Sequence, residues 1–246
     1  QRGIRMNEST IELHKRCIEK NLPFVTFRLP RQEVHTTYIQ TSPHKIEWSG
    51  LNEISAKKGF IMAPFDTRNG WKYLMVKPDI IVSGESGLES ALQEVKSHKG
   101  NGNPTWNDQD PYVINREKYL DQVRSIKNSI SKGSFQKAVL SRITSVEGNY
   151  IPVIMNIFEQ VCRKHPNAFV YIFKNDNTFW VGASPEPLLR QAEGMISTVS
   201  LAGTRPATKP YMELCNWTMK EILEQEYVTR YIHDILREFR IRDYRV

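Results

Sequence analysis

Four short stretches carry residue types that can do acid–base or metal chemistry. In SFQKAVLSR (134–142), an extended chain would place Lys137 on one face with Phe135 and Val139, and Gln136, Ala138 and Leu140 on the other. A lysine among apolar side chains either snorkels its ammonium to water or is desolvated until the neutral amine can serve as a base. In WVGASPEPLLR (180–190), Glu186 stands between Pro185 and Pro187. Each proline steers the residue before it away from αR, so Ser184 and Glu186 are expected to be extended. The prolines also remove two backbone donors, so the segment must leave a sheet or form its end. Gly182 and Ser184 share a face with Glu186 and leave space beside it. The arrangement suits a fixed general acid, or a glutamate in an exposed turn.

The third stretch is STVSLAGTRP (197–206), where a strand pattern runs into Ala202, Gly203 and Thr204. Small residues there let a ligand approach the backbone, with the Thr204 hydroxyl on offer, or simply close a tight turn. The fourth is a long helix from about Asn216 to Phe239. Glu221, Glu224, Val228, Tyr231, Ile235 and Phe239 form one stripe, with Ile232 beside it, while Arg230, His233, Asp234 and Arg237 lie opposite. Inward carboxylates call for a basic partner or a hard cation such as Mg²⁺. The other reading is that Glu221 and Glu224 are solvated carboxylates near the helix start, where the dipole favours them.

These stretches must be positioned by surrounding elements. ESTIELHKRCIEK (8–20) is expected to be a short amphipathic helix. FVTFRL, TTYIQT, GFIMAPF, KYLMVK and DIIVSG follow as successive antiparallel strands. ESGLESALQEVKSHKG reads as a helix ending near Gly100, and NGNPTWNDQDP (101–111) as a surface loop. Tyr119, Leu120, Val123, Ile126 and Ile130 give helical spacing that stops near Gly133. QKAVLSRITSV then reads as a strand and IPVIMNIFEQVCRKH as a helix. FVYIFK and TFWVGAS form a hairpin across Asn175-Asp176-Asn177, and LLRQAEGMISTVSLAG supplies two more strands. Strands mixed with helices, without regular βαβ alternation, predict an α+β fold with large antiparallel sheets flanked by helices.

Composition excludes several classes. With 246 residues, 39% of them hydrophobic, the chain can bury a substantial core. No stretch approaches the roughly 18–20 apolar residues of a membrane span, and QRGIRMNEST has no signal-like apolar core, so a cytoplasmic, membrane-free protein is expected. Cys17, Cys162 and Cys215 are far apart and odd in number, which fits reduced thiols. The net charge is +7, but the 34 Lys and Arg are scattered, so no nucleic acid is expected as a partner. A basic protein can equally attract a small polyanionic substrate.

Taken in order, KAVLSR (137–142), GASPEPLL (182–189), SLAGTRP (200–206) and KEILEQEYV (220–228) resemble the chorismate-utilising enzymes, among them isochorismate synthase, salicylate synthase and anthranilate synthase component I. The resemblance covers roughly 115–240 well and the first hundred residues only in FVTFRLP and GFIMAPF. It implies an anthranilate synthase component I-like fold, here a single domain over 1–246 with N-terminal strands and helices in 1–112 and the motifs in 113–246. The family pattern continues with further strands, another metal-binding glutamate and a substrate-binding arginine, so the domain is expected to be C-terminally incomplete in these 246 residues. Within the family, a lysine at the Lys137 position resembles isochorismate and salicylate synthases, which activate water, whereas anthranilate synthases carry glutamine. Ala202 stands where aminodeoxychorismate synthases typically carry a lysine. The resemblance implies chorismate as substrate, Mg²⁺ held by Glu224 and by Glu221 directly or through water, Lys137 as base, Glu186 as acid, and Ala202, Gly203 and Thr204 beside the substrate. It points closest to isochorismate synthase, as a monomer or weak homodimer. Salicylate synthase, another chorismate enzyme or a non-catalytic ligand-binding fragment is the alternative.

Overall fold

A computed structural model describes residues 6–42, 46–50, 53, 58–68, 70–102, 113–208, 212–213 and 216–245. Cys215 and most of the expected 101–111 loop lie outside the described residues. The chain forms two compact units, each discontinuous in sequence: residues 1–109 with 148–185, and residues 110–147 with 186–246.

The first unit is built on a five-stranded antiparallel sheet. It contains β1 (Phe24–Arg28), β2 (Thr36–Ile39), β6 (Ile80–Ser83), β7 (Phe169–Asn175) and β8 (Thr178–Ser184) in the order β6-β2-β1-β7-β8. A second sheet, β3 (Ile46–Trp48), β5 (Tyr73–Val76) and β4 (Phe60–Met62), has the order β3-β5-β4. The helices α1 (Glu8–Glu19), α2 (Leu88–Ser97) and α4 (Ile154–Lys164) complete the unit. Alternation along β1 explains its two-sided burial. Phe24 joins Leu13, Cys17, Val95, Phe158, Val170 and Ile172 in one apolar cluster. Val25 joins Val76 and Phe173 in the other.

The helices follow their sequence signals. Asn7 caps α1, its side chain accepting from the Thr10 amide at 2.8 Å. In α4, Ile154, Phe158 and Cys162 recur at intervals of four and are all buried. The β7–β8 hairpin turns at Asp176, with φ at +48°, and its register runs from Asn175↔Thr178 to Phe169↔Ser184. β8 ends at Ser184, directly before Pro185, as the missing proline donors require.

Two details differ from expectation. β3 was not legible in the sequence. Nor does Gly182 leave open space: a Cβ there would lie 2.5 Å from the Tyr171 ring of the neighbouring strand, which already fills it.

The second unit holds α3 (Arg116–Ser131), a hairpin of β9 (Arg190–Ala192) with β10 (Met195–Ser197), and α5 (Met219–Glu238). Glu193 and Gly194, at φ +52° and +76°, make the tight β9–β10 turn. Ile114 is the one buried residue of this unit among those described. The expected strand over QKAVLSRITSV does not form: residues 137–147 carry no secondary structure. Its residues suit a pleated, half-buried surface, but a strand also needs a paired neighbour, and none is present among the described residues. The second strand of LLRQAEGMISTVSLAG likewise ends at Ser197. Together the elements are α+β, with antiparallel sheets flanked by helices. Among the described residues no helix is long and apolar enough to cross a membrane.

Candidate active site

All seven sequence-selected site residues, Lys137, Glu186, Ala202, Gly203, Thr204, Glu221 and Glu224, belong to the second unit. α5 is its organising element. Thr218 opens the helix in a capping box: the Thr218 amide donates to the Glu221 carboxylate at 2.9 Å, and the threonine hydroxyl lies at the same distance. Glu221 and Glu224 follow one turn apart on the partly covered side, with Gln225, Val228, Thr229, Ile232, Ile235 and Leu236. The covered stripe is rotated from its expected line. Tyr231 and Phe239 are 66% and 69% exposed, and Gln225 and Thr229 take the inward places because they bond to the neighbouring segment.

That segment is Ser200–Arg205. Gln225 Nε2 donates to the carbonyl and to the hydroxyl of Ser200, both at 2.8 Å. Ser200 Oγ also meets Thr229 Oγ1 at 2.8 Å. At its other end, Arg205 grips Glu221 with Nε on one carboxylate oxygen and Nη2 on the other, the latter at 2.6 Å. Gly203 lies between, where a Cβ would come within 2.9 Å of the ring of Trp217, just before the helix, and 3.7 Å from Glu221 in its first turn. Here the small residue makes room for the Trp217 ring of its own unit. Ala202 is half-buried beside it and Thr204 is exposed.

Lys137 comes to the same helix without a strand to carry it. Its Nζ lies 3.4 Å from Glu224 Oε1, and Lys220 Nζ lies 3.8 Å from Oε2. Phe135 and Val139 are both exposed, so Lys137 meets a carboxylate instead of an apolar strand face. Glu186 stands where the chain enters this unit after β8, on an exposed segment without regular secondary structure.

Electrostatics separates the two helix carboxylates. The Arg205 hydrogen bonds, and then those of Thr218, pull the Glu221 carboxyl down to about 2. Its oxygens already face two guanidinium nitrogens, an amide and a hydroxyl: Arg205 Nε on Oε1, and Arg205 Nη2 with the Thr218 amide and hydroxyl on Oε2. With its charge met by the Arg205 guanidinium and one oxygen crowded by three donors, Glu221 fits less well as a direct metal ligand than Glu224 in this arrangement. Glu224 does fit: its oxygens face two flexible lysine ammonium groups, and oxygen donors suit a hard cation. Among the described residues no cluster of three or more His, Cys, Asp or Glu is assembled for a metal. One carboxylate with waters and an anionic substrate is an ordinary environment for Mg²⁺.

Sequence reading missed Arg205 and Thr218. Thr218-x-x-Glu221 is a capping-box signature and could have been found. The partner of Arg205 could not, because no local pattern connects residues 205 and 221.

A family model described as chorismate binding enzyme matches residues 78–242. The chain is 31% identical over 99 residues to anthranilate synthase component 1 of Methanothermobacter thermautotrophicus, covering 39% of this chain and 20% of that protein. It is 32% identical over 91 residues to anthranilate synthase component 1 of Pseudomonas aeruginosa, covering 37% and 18%. The corresponding protein of Acetivibrio thermocellus is 33% identical over 92 residues, again covering 37% and 18%. The chain thus spans about a fifth of the length of the curated relatives it matches. Since the family model takes in well over half of its residues, the chain belongs to the chorismate binding enzyme family.

Proposed function

We propose that this protein is a Mg²⁺-dependent isochorismate synthase, converting chorismate to isochorismate by water attack at C2 with loss of the C4 hydroxyl. The observation that carries the reading is Lys137 beside Glu224, 3.4 Å apart. A lysine at this position resembles family members that activate water; Glu224 alone favours its ammonium, so the neutral amine would require that carboxylate's charge to be taken up by the cation it is proposed to hold.

Each residue has a role in the proposed reaction. Lys137, as the neutral amine, takes a proton from the attacking water while the water oxygen bonds to C2. The ring double bond shifts, and the C4–O bond breaks. Glu186, protonated, gives its proton to the departing hydroxyl, which leaves as water. Pro185 and Pro187 on either side would restrict its backbone and so the place of the carboxyl. Ala202, Gly203 and Thr204 would face the substrate's carboxylate region. Mg²⁺, held by Glu224, would supply positive charge to anchor a substrate carboxylate. Glu221 would reach such an ion through water, or serve only to hold the helix start. Two lysines around Glu224 and a net charge of +7 favour an anionic substrate.

A second reading follows from the relatives, which are named for anthranilate synthesis. Ammonia would then replace water as nucleophile, and the product would be aromatic with release of pyruvate. Salicylate synthesis would use the same residues with water and also release pyruvate. Incubating the protein with chorismate and Mg²⁺, with and without ammonium, and identifying the products by mass separates the three. Isochorismate keeps the mass of chorismate; either aromatic product, or no conversion, contradicts the proposal.

A further inference from the structure

The Ser200–Arg205 segment is fastened to α5 at two points, by Gln225 and Thr229 on Ser200 and by Arg205 on Glu221. Gly203 and Thr204 lie between these fastenings. The Arg205 fork is bidentate, which fixes an angle as well as a distance. The same carboxylate closes the Thr218 capping box, so one side chain sets both the start of α5 and the path of the segment. Glu224 is on the next turn of that helix.

We infer that Arg205 and Glu221 act as a positioning pair: Glu221 is the anchor through which Arg205 holds the Gly203–Thr204 backbone in register with Glu224, and it is not itself a metal ligand. The inference rests on the proposed roles of Gly203, Thr204 and Glu224. Arg205 acts through Glu221, and neither side chain touches the reacting atoms. Lysine cannot replace Arg205, because a single ammonium cannot span both oxygens of Glu221.

The test compares Arg205→Gln, Glu221→Gln, the double variant and Arg205→Lys with the parent chain. Three quantities are measured: KM and kcat with chorismate, Mg²⁺ affinity by calorimetry, and amide hydrogen exchange over residues 200–205. A positioning pair predicts that each single variant loses about 10- to 100-fold in kcat/KM, mostly through KM. The double variant should lose no more than the worse single one, and Arg205→Lys should rescue little. Mg²⁺ affinity should stay within about twofold of the parent in all four, while Glu224→Gln loses it. Exchange over 200–205 should quicken equally in Arg205→Gln and Glu221→Gln. A Glu221→Gln loss of Mg²⁺ affinity that Arg205→Gln does not share, or additive losses in the double variant, would overturn the inference. If the parent chain converts no chorismate, the proposed function fails, and hydrogen exchange alone decides the clamp. Unchanged exchange in both single variants then overturns it.

Discussion

Lys137 and Glu224, far apart in sequence, meet with Nζ 3.4 Å from Oε1, and each side chain is 28% exposed. Ion pairs with this much water access contribute roughly 1 kcal/mol or less to stability. The fold therefore gains little from keeping them together. Lys220, 85% exposed, is a looser neighbour on the other oxygen.

Replacing Lys137 by alanine should lower the rate of chorismate conversion by about 100- to 10,000-fold, the usual range for a lost general base. The melting temperature should barely change, since so little stability rests on the ion pair. Steady-state rates with a thermal melt on the same preparation check both. Turnover matching the parent would remove Lys137 from the mechanism.

Glu224 and Glu226 lie two residues apart on α5 but on different faces. Glu226 is exposed and pairs with Arg230 one turn on. Titration with Mg²⁺ should therefore show binding lost in Glu224→Ala and kept in Glu226→Ala. Equal losses in the two variants would mean that the helix face does not select the ligand.

His14 gives a pH test within the first unit. It is fully buried, with Nδ1 at 2.7 Å from the Thr10 carbonyl and Nε2 at 2.6 Å from the Thr26 hydroxyl. The neutral ring satisfies both, donating to the carbonyl and accepting from the hydroxyl. Burial is the main cause that lowers its pKa from 6.5 to about 4. The unfolded chain thus binds the proton more readily than the folded one. Stability from this group is complete above pH 6.5 and falls as pH drops from there towards 4, by about 3 kcal/mol in all. A ring titration of His14 followed by NMR should show a midpoint near 4. A midpoint near 6.5 would mean that the site is open to water.

Gly182→Ala should cost about 1–3 kcal/mol by forcing the Tyr171 ring out of its place. Chemical denaturation of Gly182→Ala, Tyr171→Ala and the pair measures it. The alanine at 182 should cost much less once the ring is gone. An unchanged cost in the Tyr171→Ala background would place the strain elsewhere.

Much of the fold was legible because its signals are local. The helices over 8–20 and IPVIMNIFEQVCRKH and the β7–β8 hairpin each depend on residues within a few positions. What escaped depends on distant partners. KAVLSR has the side chains of a strand, but residues 137–147 lack a paired neighbour among the described residues, and Lys137 is placed by Glu224 instead. The inward stripe of α5 was displaced because Ser200 bonds to Gln225 and Thr229, which no helical periodicity can reveal. Glu221 was open to two readings, a metal-facing carboxylate or a solvated one at the helix start. Its capping role with Thr218 was written in the sequence, whereas its grip on Arg205 becomes visible only when the two segments meet.

The central claim is that water, activated at Lys137, adds to chorismate without loss of the side chain. The most direct measurement is conversion of chorismate in ¹⁸O-labelled water with Mg²⁺, followed by mass spectrometry of the product. The claim predicts a product isomeric with chorismate that carries one heavy oxygen, and no pyruvate. Unlabelled isochorismate, an aromatic product released with pyruvate, or unchanged chorismate would contradict it.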